Sequence, residues 1–207
     1  MAIPNSSPLW TSTFTLLCLI ELLGYAQQAM LNPTVPLYLV ELGGTPFVVG
    51  LVISAFAATS VIARPIIGYW ADRWSESGVL AFGLAVLAVS MLLCFFPFVT
   101  TVLVANALRG VGWAGLNAGG YALLARIAPE ARRGEASGYY SGAQSTPTVV
   151  FPAVALWLLY APFGGYNMVF ALMIALGVAG VAVCFFMARQ VSSPPHRLGS
   201  RQFSLPW

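Results

Sequence analysis

Residues 79–97 read VLAFGLAVLAVSMLLCFFP and contain no charged side chain. A helix needs about 20 predominantly apolar residues to cross the hydrocarbon layer of a bilayer. This stretch also lacks the regular alternation of polar and apolar residues that is typical of strands in a membrane β-barrel. It therefore predicts a membrane-spanning α-helix.

Five further apolar stretches of similar length lie along the chain, so the sequence predicts an all-α membrane protein with six transmembrane helices. Hydrophobic residues make up 59% of the chain and charged residues 7%, whereas about a quarter of the residues in a soluble domain are charged. This composition excludes a water-soluble globular protein. The predicted spans are about 10–36, 47–70, 79–97, 99–124, 138–160 and 166–188.

The arginines that lie outside these spans are concentrated in alternate gaps. The gaps after the first, third and fifth spans contain no arginine, and the chain has no lysine. Because basic residues flanking membrane helices are enriched on the cytoplasmic side, this bias predicts a multi-pass protein of the plasma membrane with both termini in the cytoplasm. The arginines outside the spans are Arg73, Arg126, Arg132, Arg133, Arg189, Arg197 and Arg201.

We expect residues 1–190 to form one six-helix domain, because the connections between the spans are too short to contain a soluble domain. The tail at 191–207 reads VSSPPHRLGSRQFSLPW and is more polar than the spans. We therefore expect the tail to be a disordered cytoplasmic segment.

Polar side chains recur at helical spacing within the first and fourth predicted spans. They lie at intervals of four, three and four residues in the first span, and of three, four and four in the fourth. Each set therefore shares one helix face. The fifth span adds a weaker stripe. The three stripes are Glu21, Tyr25, Gln28 and Asn32; Asn106, Arg109, Trp113 and Asn117; and Tyr140, Gln144 and Thr148.

Glu21 and Arg109 are the ionisable members of the two strong stripes. A charged residue within a span costs about 2.5–3.5 kcal/mol on insertion scales, and it persists where it faces water or a partner. Transporters built from inverted helix triplets bind substrate near the midplane, and the first and fourth spans would open two such triplets. We hypothesise that Glu21 and Arg109 face a common aqueous cavity and interact there, directly or through water. We further hypothesise that Glu21 carries protons in exchange for substrate. The alternative is that these polar groups only form hydrogen bonds between helices.

Glycines four residues apart favour close packing of membrane helices. The fourth span contains Gly115 and Gly119 at this spacing, and the fifth begins with Gly138 and Gly142. Both pairs predict helix contacts rather than a ligand site.

The sequence shows no pattern that predicts an enzyme. Cys18, Cys94 and Cys184 lie in separate apolar stretches with neither metal-site nor disulfide spacing. One acid within the spans and no histidine there do not assemble a catalytic centre. We therefore expect no catalytic residues, no metal and no cofactor. We expect no nucleic-acid partner either, because the arginines do not cluster with aromatic residues on a soluble face.

Four segments resemble the major facilitator superfamily. The first is GYWADR at 68–73, which is similar to the signature loop of that family, and it follows ARP at 63–65. The segment ALRGVG at 107–112 resembles the core of the family's second motif, and 127–136 resembles its loop between helices four and five. On this alignment Asn106 stands where the family usually has a buried arginine, and Arg109 follows one turn later on the same face.

The resemblance implies a cytoplasmic gate that latches the outward-open conformation. Arg64, Gly68 and Asp72 are spaced by four and share a face, and Gly68 permits close helix approach. Asp72 and Arg73 are expected to pair with neighbouring helix ends and with Glu130 or Arg132. The implied gate residues are Arg64, Gly68, Asp72, Arg73, Glu130 and Arg132.

The resemblance also implies a 3+3 inverted-repeat domain and secondary transport of a small organic solute by alternating access, with proton-coupled efflux as one form. The expected partners are the lipid bilayer, the solute and protons. Family members have two six-helix domains, whereas this chain supplies the first. Three interpretations remain open: a truncated product or fragment, a half-transporter that pairs as a homodimer or with a second six-helix half, and a non-transporting protein that acts through helix–helix interaction with a partner.

Overall fold

The computed structural model describes residues 8–73 and 75–190, so the expected tail at 191–207 lies outside the described residues. The described part of the chain contains six long helices, each long and apolar enough to cross a membrane. Two short 3₁₀ turns, Leu93–Phe95 and Glu130–Arg132, lie between them. The helices are α1 (Ser12–Glu41), α2 (Pro46–Arg73), α3 (Glu76–Leu92), α4 (Val99–Ile127), α5 (Arg133–Tyr160) and α6 (Tyr166–Gln190).

The six predicted spans are confirmed, with differences at their ends. Helix α1 continues to Glu41 through Pro33 and Pro36, because a membrane helix tolerates proline where its surroundings satisfy the freed backbone groups. Helix α5 begins at Arg133 rather than at 138, because its first turn is polar and carries no apolar signal. It also contains two prolines, Pro147 and Pro152.

The helices run alternately in opposite directions. At one end of the bundle, Arg126 Nη1 of α4 lies 3.1 Å from Glu76 Oε2 of α3, which joins the α2–α3 and α4–α5 connections. We call this the arginine end. At the other end, the Tyr38 hydroxyl of α1 donates to the Cys94 carbonyl oxygen at 3.1 Å. The chain therefore crosses the bundle six times, as the arginine pattern predicts.

Helix packing shows an internal repeat of two triplets, α1–α3 and α4–α6. Helix α1 packs on α5 and α6, helix α4 packs on α2 and α3, and α3 packs on α6. If α1 is exchanged with α4, α2 with α5, and α3 with α6, the α1 pairs become the α4 pairs and the α3–α6 pair maps onto itself. This pattern is that of the 3+3 inverted repeat.

The two glycine pairs differ in their surroundings. A Cβ at Gly115 would lie 2.8 Å from Gly83 Cα, and a Cβ at Gly119 would lie 2.7 Å from the Leu80 backbone nitrogen. The predicted close contact is therefore present between α3 and α4. Gly138 and Gly142 have no described atom within 4 Å of such a Cβ, so the contact predicted for them is not made within this part of the chain.

Candidate functional site

The polar stripes of α1 and α4 face each other inside the bundle. The Tyr25 hydroxyl donates to Asn117 Oδ1 at 3.0 Å, and the rings of Tyr25 and Trp113 lie 4.6 Å apart. One turn further along α1, Gln28 accepts a hydrogen bond from Arg109. The helical spacing of each stripe therefore aligns a ladder of polar contacts between the first helices of the two repeats.

Arg109 lies at one end of this ladder and is 2% exposed. Its Nη1 donates to Asn106 Oδ1 at 2.9 Å, and its Nη2 donates to Gln28 Oε1. The guanidinium carbon lies 5.1 Å from the centre of the Phe56 ring of α2, a cation–π distance. Nε has no hydrogen-bond partner in the structure. Two neutral amides and an aromatic ring therefore surround the positive charge.

A cavity of about 100 Å³ borders Arg109 between α1, α2 and α4. This volume holds several water molecules or one small polar group. Its polar lining consists of Arg109 and three amides, and the rest of the lining is apolar. The lining residues are Gln28, Leu31, Asn32, Val35, Pro36, Ile53, Phe56, Asn106 and Arg109.

Glu21 forms a second centre, which is fully buried. Its Oε2 accepts from Gln144 Nε2 of α5 at 2.9 Å, and Gln144 Oε1 accepts from the Tyr121 hydroxyl at 3.2 Å. The Tyr140 hydroxyl lies beside the carboxylate. A Cβ at Gly120 would overlap both Glu21 Oε1 and the Tyr140 hydroxyl, so only glycine leaves room for this arrangement.

The structure does not pair Glu21 directly with Arg109, so the direct form of the expected interaction is wrong. The stripes run in opposite directions: Tyr25 faces Asn117, and Gln28 faces Arg109. This register sets Glu21 opposite Gly120, about two turns or 10 Å along α1 from Gln28. The two charges therefore have separate partners. Those of Glu21 lie on α5, whereas Arg109 contacts Gln28 of α1, Asn106 of its own helix and Phe56 of α2.

The α2 residues of the expected gate lie on the outside of the described bundle. Arg64 and Asp72 are exposed, and a Cβ at Gly68 would meet no described atom within 4 Å. The close helix approach expected at Gly68 is therefore not made within the described residues.

The ion pairs expected for the gate are replaced by local ones. Arg132 Nη2 lies 2.7 Å from Glu135 Oε1, and Arg133 Nη2 lies 3.6 Å from Glu130 Oε1. The Arg73 guanidinium lies over the Tyr69 ring at 4.7 Å. The expected pairing of Asp72 or Arg73 with Glu130 or Arg132 is therefore wrong for this conformation. Partners three or four residues apart on a helix turn are already in reach and need no helix movement.

Two residues of these centres, Phe56 and Tyr121, and the buried Gln27 outside them were not among the predicted site residues. Phe56 is one aromatic residue within an apolar stretch, whereas Tyr121 lies four residues after Asn117 and continues the spacing of the α4 stripe. Gln27 is buried on another face of α1, where its Nε2 donates to the Met173 carbonyl oxygen at 2.9 Å. Gln27 directly precedes Gln28 of the α1 stripe, and this position is the signal in the sequence that could have indicated it. The sequence contains no comparable signal for Phe56.

A family model described as the Major Facilitator Superfamily matches residues 17–207. The chain belongs to the major facilitator superfamily. The resemblance of the sequence motifs is thereby confirmed. Members of the superfamily are transporters rather than enzymes. Membership of the family, together with the six helices long enough to cross a membrane, supports a multi-pass protein of the plasma membrane.

The chain is similar in sequence to several named members of the superfamily. The chain is 29% identical over 147 residues to Multidrug resistance protein 1 of Bacillus subtilis, covering 70% of the chain and 38% of that protein. It is 28% identical over 197 residues to the probable galactarate/D-glucarate transporter of Bacillus subtilis, covering 92% and 42%. It is 28% identical over 196 residues to the Staphyloferrin B transporter of Staphylococcus aureus, covering 91% and 45%. The chain therefore spans less than half the length of these relatives.

Proposed function

We propose that the chain is one six-helix unit of a secondary carrier that moves a small organic solute across the plasma membrane by alternating access, with proton-coupled efflux as its working form. The observation that carries this proposal is the ladder of polar contacts between α1 and α4, which ends at a cavity inside the bundle. Carriers built from inverted repeats bind their solutes at such an interface.

The cavity supplies the solute site in this proposal. Its lining combines a guanidinium, amides and the Phe56 ring, groups that bind a polar solute and fix its orientation. The relatives named for transport include one for galactarate/D-glucarate and one for Staphyloferrin B, and one is named for multidrug resistance. Polar organic solutes of this range agree with the lining.

Glu21 supplies the proton site. It is the acid held at depth, and the amide of Gln144 donates to one carboxylate oxygen. A protonated carboxyl is itself a donor, so the neighbouring hydroxyl of Tyr140 and the amide can accommodate either state. Charging or discharging Glu21 changes the α1–α5 contact, and this gives proton binding a route to helix movement.

The arginine end is the cytoplasmic end in this proposal, which places both termini in the cytoplasm. It carries most of the described arginines outside the spans, in agreement with the bias for basic residues on that side. Arg64, Gly68, Asp72, Arg73, Glu130 and Arg132 would then form the gate at that mouth. The local ion pairs seen here would be exchanged for pairs between helices in another state of the cycle.

A second six-helix unit completes the carrier. Helices α2 and α5 are the least buried in the bundle, and the open glycines Gly138 and Gly142 lie on α5. Such a glycine face lets a helix of another unit approach closely. The second unit is either a further part of the same polypeptide, a second copy, or a separate chain.

The proposal is tested with the chain reconstituted in lipid vesicles under an imposed pH gradient. Uptake of labelled D-glucarate and of a fluorescent quinolone is measured against empty vesicles. We expect gradient-driven movement of at least one solute by the native chain, because Glu21 couples proton and solute. Glu21→Gln should abolish the driven component, and Glu21→Asp should retain part of it.

The matched control is Glu41→Gln, the same substitution at the exposed end of helix α1. It removes one carboxylate outside the bundle interior and should leave driven movement unchanged. Full driven transport by Glu21→Gln would exclude the proton role. The absence of driven transport in every sample would contradict the carrier proposal for this chain by itself.

A further inference from the structure

The charge on Arg109 has no acidic partner. The side chain is 2% exposed, and none of the ion pairs found among residues 8–73 and 75–190 includes it. An arginine does not give up its proton inside a protein. A buried guanidinium in a membrane span is costly unless an anion or water compensates it. Gln28 and Asn106 supply acceptor oxygens but no negative charge.

The guanidinium of Arg109, which lines the cavity, also has N–H donors to spare. It carries five N–H groups, and the two amide contacts occupy one at Nη1 and one at Nη2. Nε is buried and has no hydrogen-bond partner among the residues that the structure describes. The planar fork of an arginine matches the two oxygens of a carboxylate, so a ligand with this group would find paired donors.

Apart from Arg109, the residues that line the cavity are uncharged, so the net charge of the lining is positive. Its other polar residues are the neutral amides of Gln28, Asn32 and Asn106, and the cavity has no acidic lining residue. Helix α1 carries two acids. Glu21 is bound to Gln144 about two turns away, and Glu41 at the end of the helix lines a different pocket with Tyr166. A cation in the cavity would therefore face an uncompensated positive charge, whereas an anion would neutralise it.

We infer that this cavity binds the carboxylate of a small organic anion, with Arg109 as the residue that determines charge specificity. The inference rests on the proposed function, because it assigns a solute class to the same cavity. Gln28 and Asn106 hold the guanidinium in place, and the Phe56 ring covers it on the α2 side. The ligand's carboxylate supplies the negative charge and the acceptor oxygens that the two amides do not provide.

The test measures equilibrium binding to the 207-residue chain in detergent by titration calorimetry. Three probes share a five-carbon skeleton and differ in charge: glutarate is an anion, pentanediol is neutral, and cadaverine is a cation. We expect glutarate to bind at least about tenfold more tightly than the other two. Arg109→Gln should reduce glutarate affinity by about tenfold or more, which corresponds to the loss of a buried charge contact.

Two further variants test whether the glutarate affinity depends on a positive charge at position 109 or on the loss of any arginine. Arg109→Lys keeps a positive charge and should retain part of the glutarate affinity, although it loses the fork. Arg126→Gln removes an arginine at the arginine end and should bind glutarate as the native chain does. Each variant is first shown to be folded by its helical circular dichroism and its elution volume.

Equal binding of the three probes would overturn the inference, as would an unchanged glutarate affinity in Arg109→Gln or no glutarate binding by the folded native chain. Anion-selective binding without gradient-driven transport would support the inference and contradict the carrier proposal. Transport of solutes without regard to their charge would support the carrier proposal and overturn the inference.

Discussion

Glu21 and Arg109 occupy equivalent places in the two repeats but have opposite charges and different surroundings. Each lies about two and a half turns after the start of the first helix of its triplet. Glu21 contacts α5 and Arg109 contacts α2, and α1–α5 and α4–α2 are equivalent pairs under the repeat. The fold therefore sets where a buried charge lies, and the side chains around it set what the charge can do.

The surroundings separate the two positions into an enclosed centre and an open one. Around Glu21, the α4 backbone at Gly120 closes in and leaves no room for even a methyl group. Around Arg109, a cavity of about 100 Å³ remains on one side. An acid that can take up a proton is compatible with enclosure, whereas an arginine that stays charged requires water or an anion nearby.

The largest expected effect breaks the enclosure at Glu21. Gly120→Val would push against both the carboxylate and the Tyr140 hydroxyl, and both of these side chains are fully buried. We expect a loss of about 2–3 kcal/mol in the free energy of unfolding, measured by thermal or denaturant unfolding in detergent. Gly142→Val, the same change on the open face of α5, should change it by less than about 0.5 kcal/mol. Similar losses in the two variants would show that the Glu21 centre is not tightly enclosed.

A paired substitution sharpens the difference between the centres. Gln144→Leu removes the donor to Glu21 in a site without a cavity, and we expect a cost of about 1–3 kcal/mol. Gln28→Leu removes an acceptor from Arg109, but water in the adjacent cavity can replace it, so the cost should be smaller. The unfolding midpoints of both variants are compared in the same detergent. A larger loss for Gln28→Leu would reverse the assignment of the enclosed and open centres.

The smallest expected effect concerns the ring that covers Arg109. Phe56→Leu keeps an apolar side chain but removes the cation–π contact with the buried guanidinium. Because the Phe56 ring is itself half-buried, we expect a loss of about 1 kcal/mol, between the values for exposed and desolvated pairs. The unfolding midpoint should fall slightly, by the same measurement. Phe82→Leu, an exposed ring on α3, provides the control for a lost aromatic ring. An equal fall in both variants would remove the argument for a specific contact at Arg109.

The sequence predicted the helices and the faces of their polar stripes, because both follow from hydrophobic length and a period of 3.6 residues. It did not predict which residues of α1 and α4 would lie opposite each other. That register depends on how the Glu21 and Tyr140 side chains fit against Gly120 and on the contact between Leu116 and Gly24, which are decided by packing in three dimensions. The direct contact expected between Glu21 and Arg109 failed for this reason.

The contacts at the cavity and at the gate could not be predicted from the sequence either. Phe56 enters the Arg109 centre because α2 packs on α4, and nothing in its own apolar stretch marks it. The gate residues were found by resemblance, which records a motif but not the state of a transport cycle. In the present state, Arg132 and Arg133 pair with acids on their own turn.

The two prolines of α1 make the part of the helix around them easier to bend than the rest. Pro33 and Pro36 each remove a backbone N–H and weaken the helix locally, and Pro36 forms part of the wall beside Arg109. Glu21 lies about three turns before Pro33, in a stretch with an uninterrupted backbone ladder. A bend at the prolines would thus act as a hinge that changes the width of the cavity mouth while the acid stays in place. Distances between spin labels on either side of Pro33 would show two lengths if the hinge operates and one if α1 moves as a rigid rod.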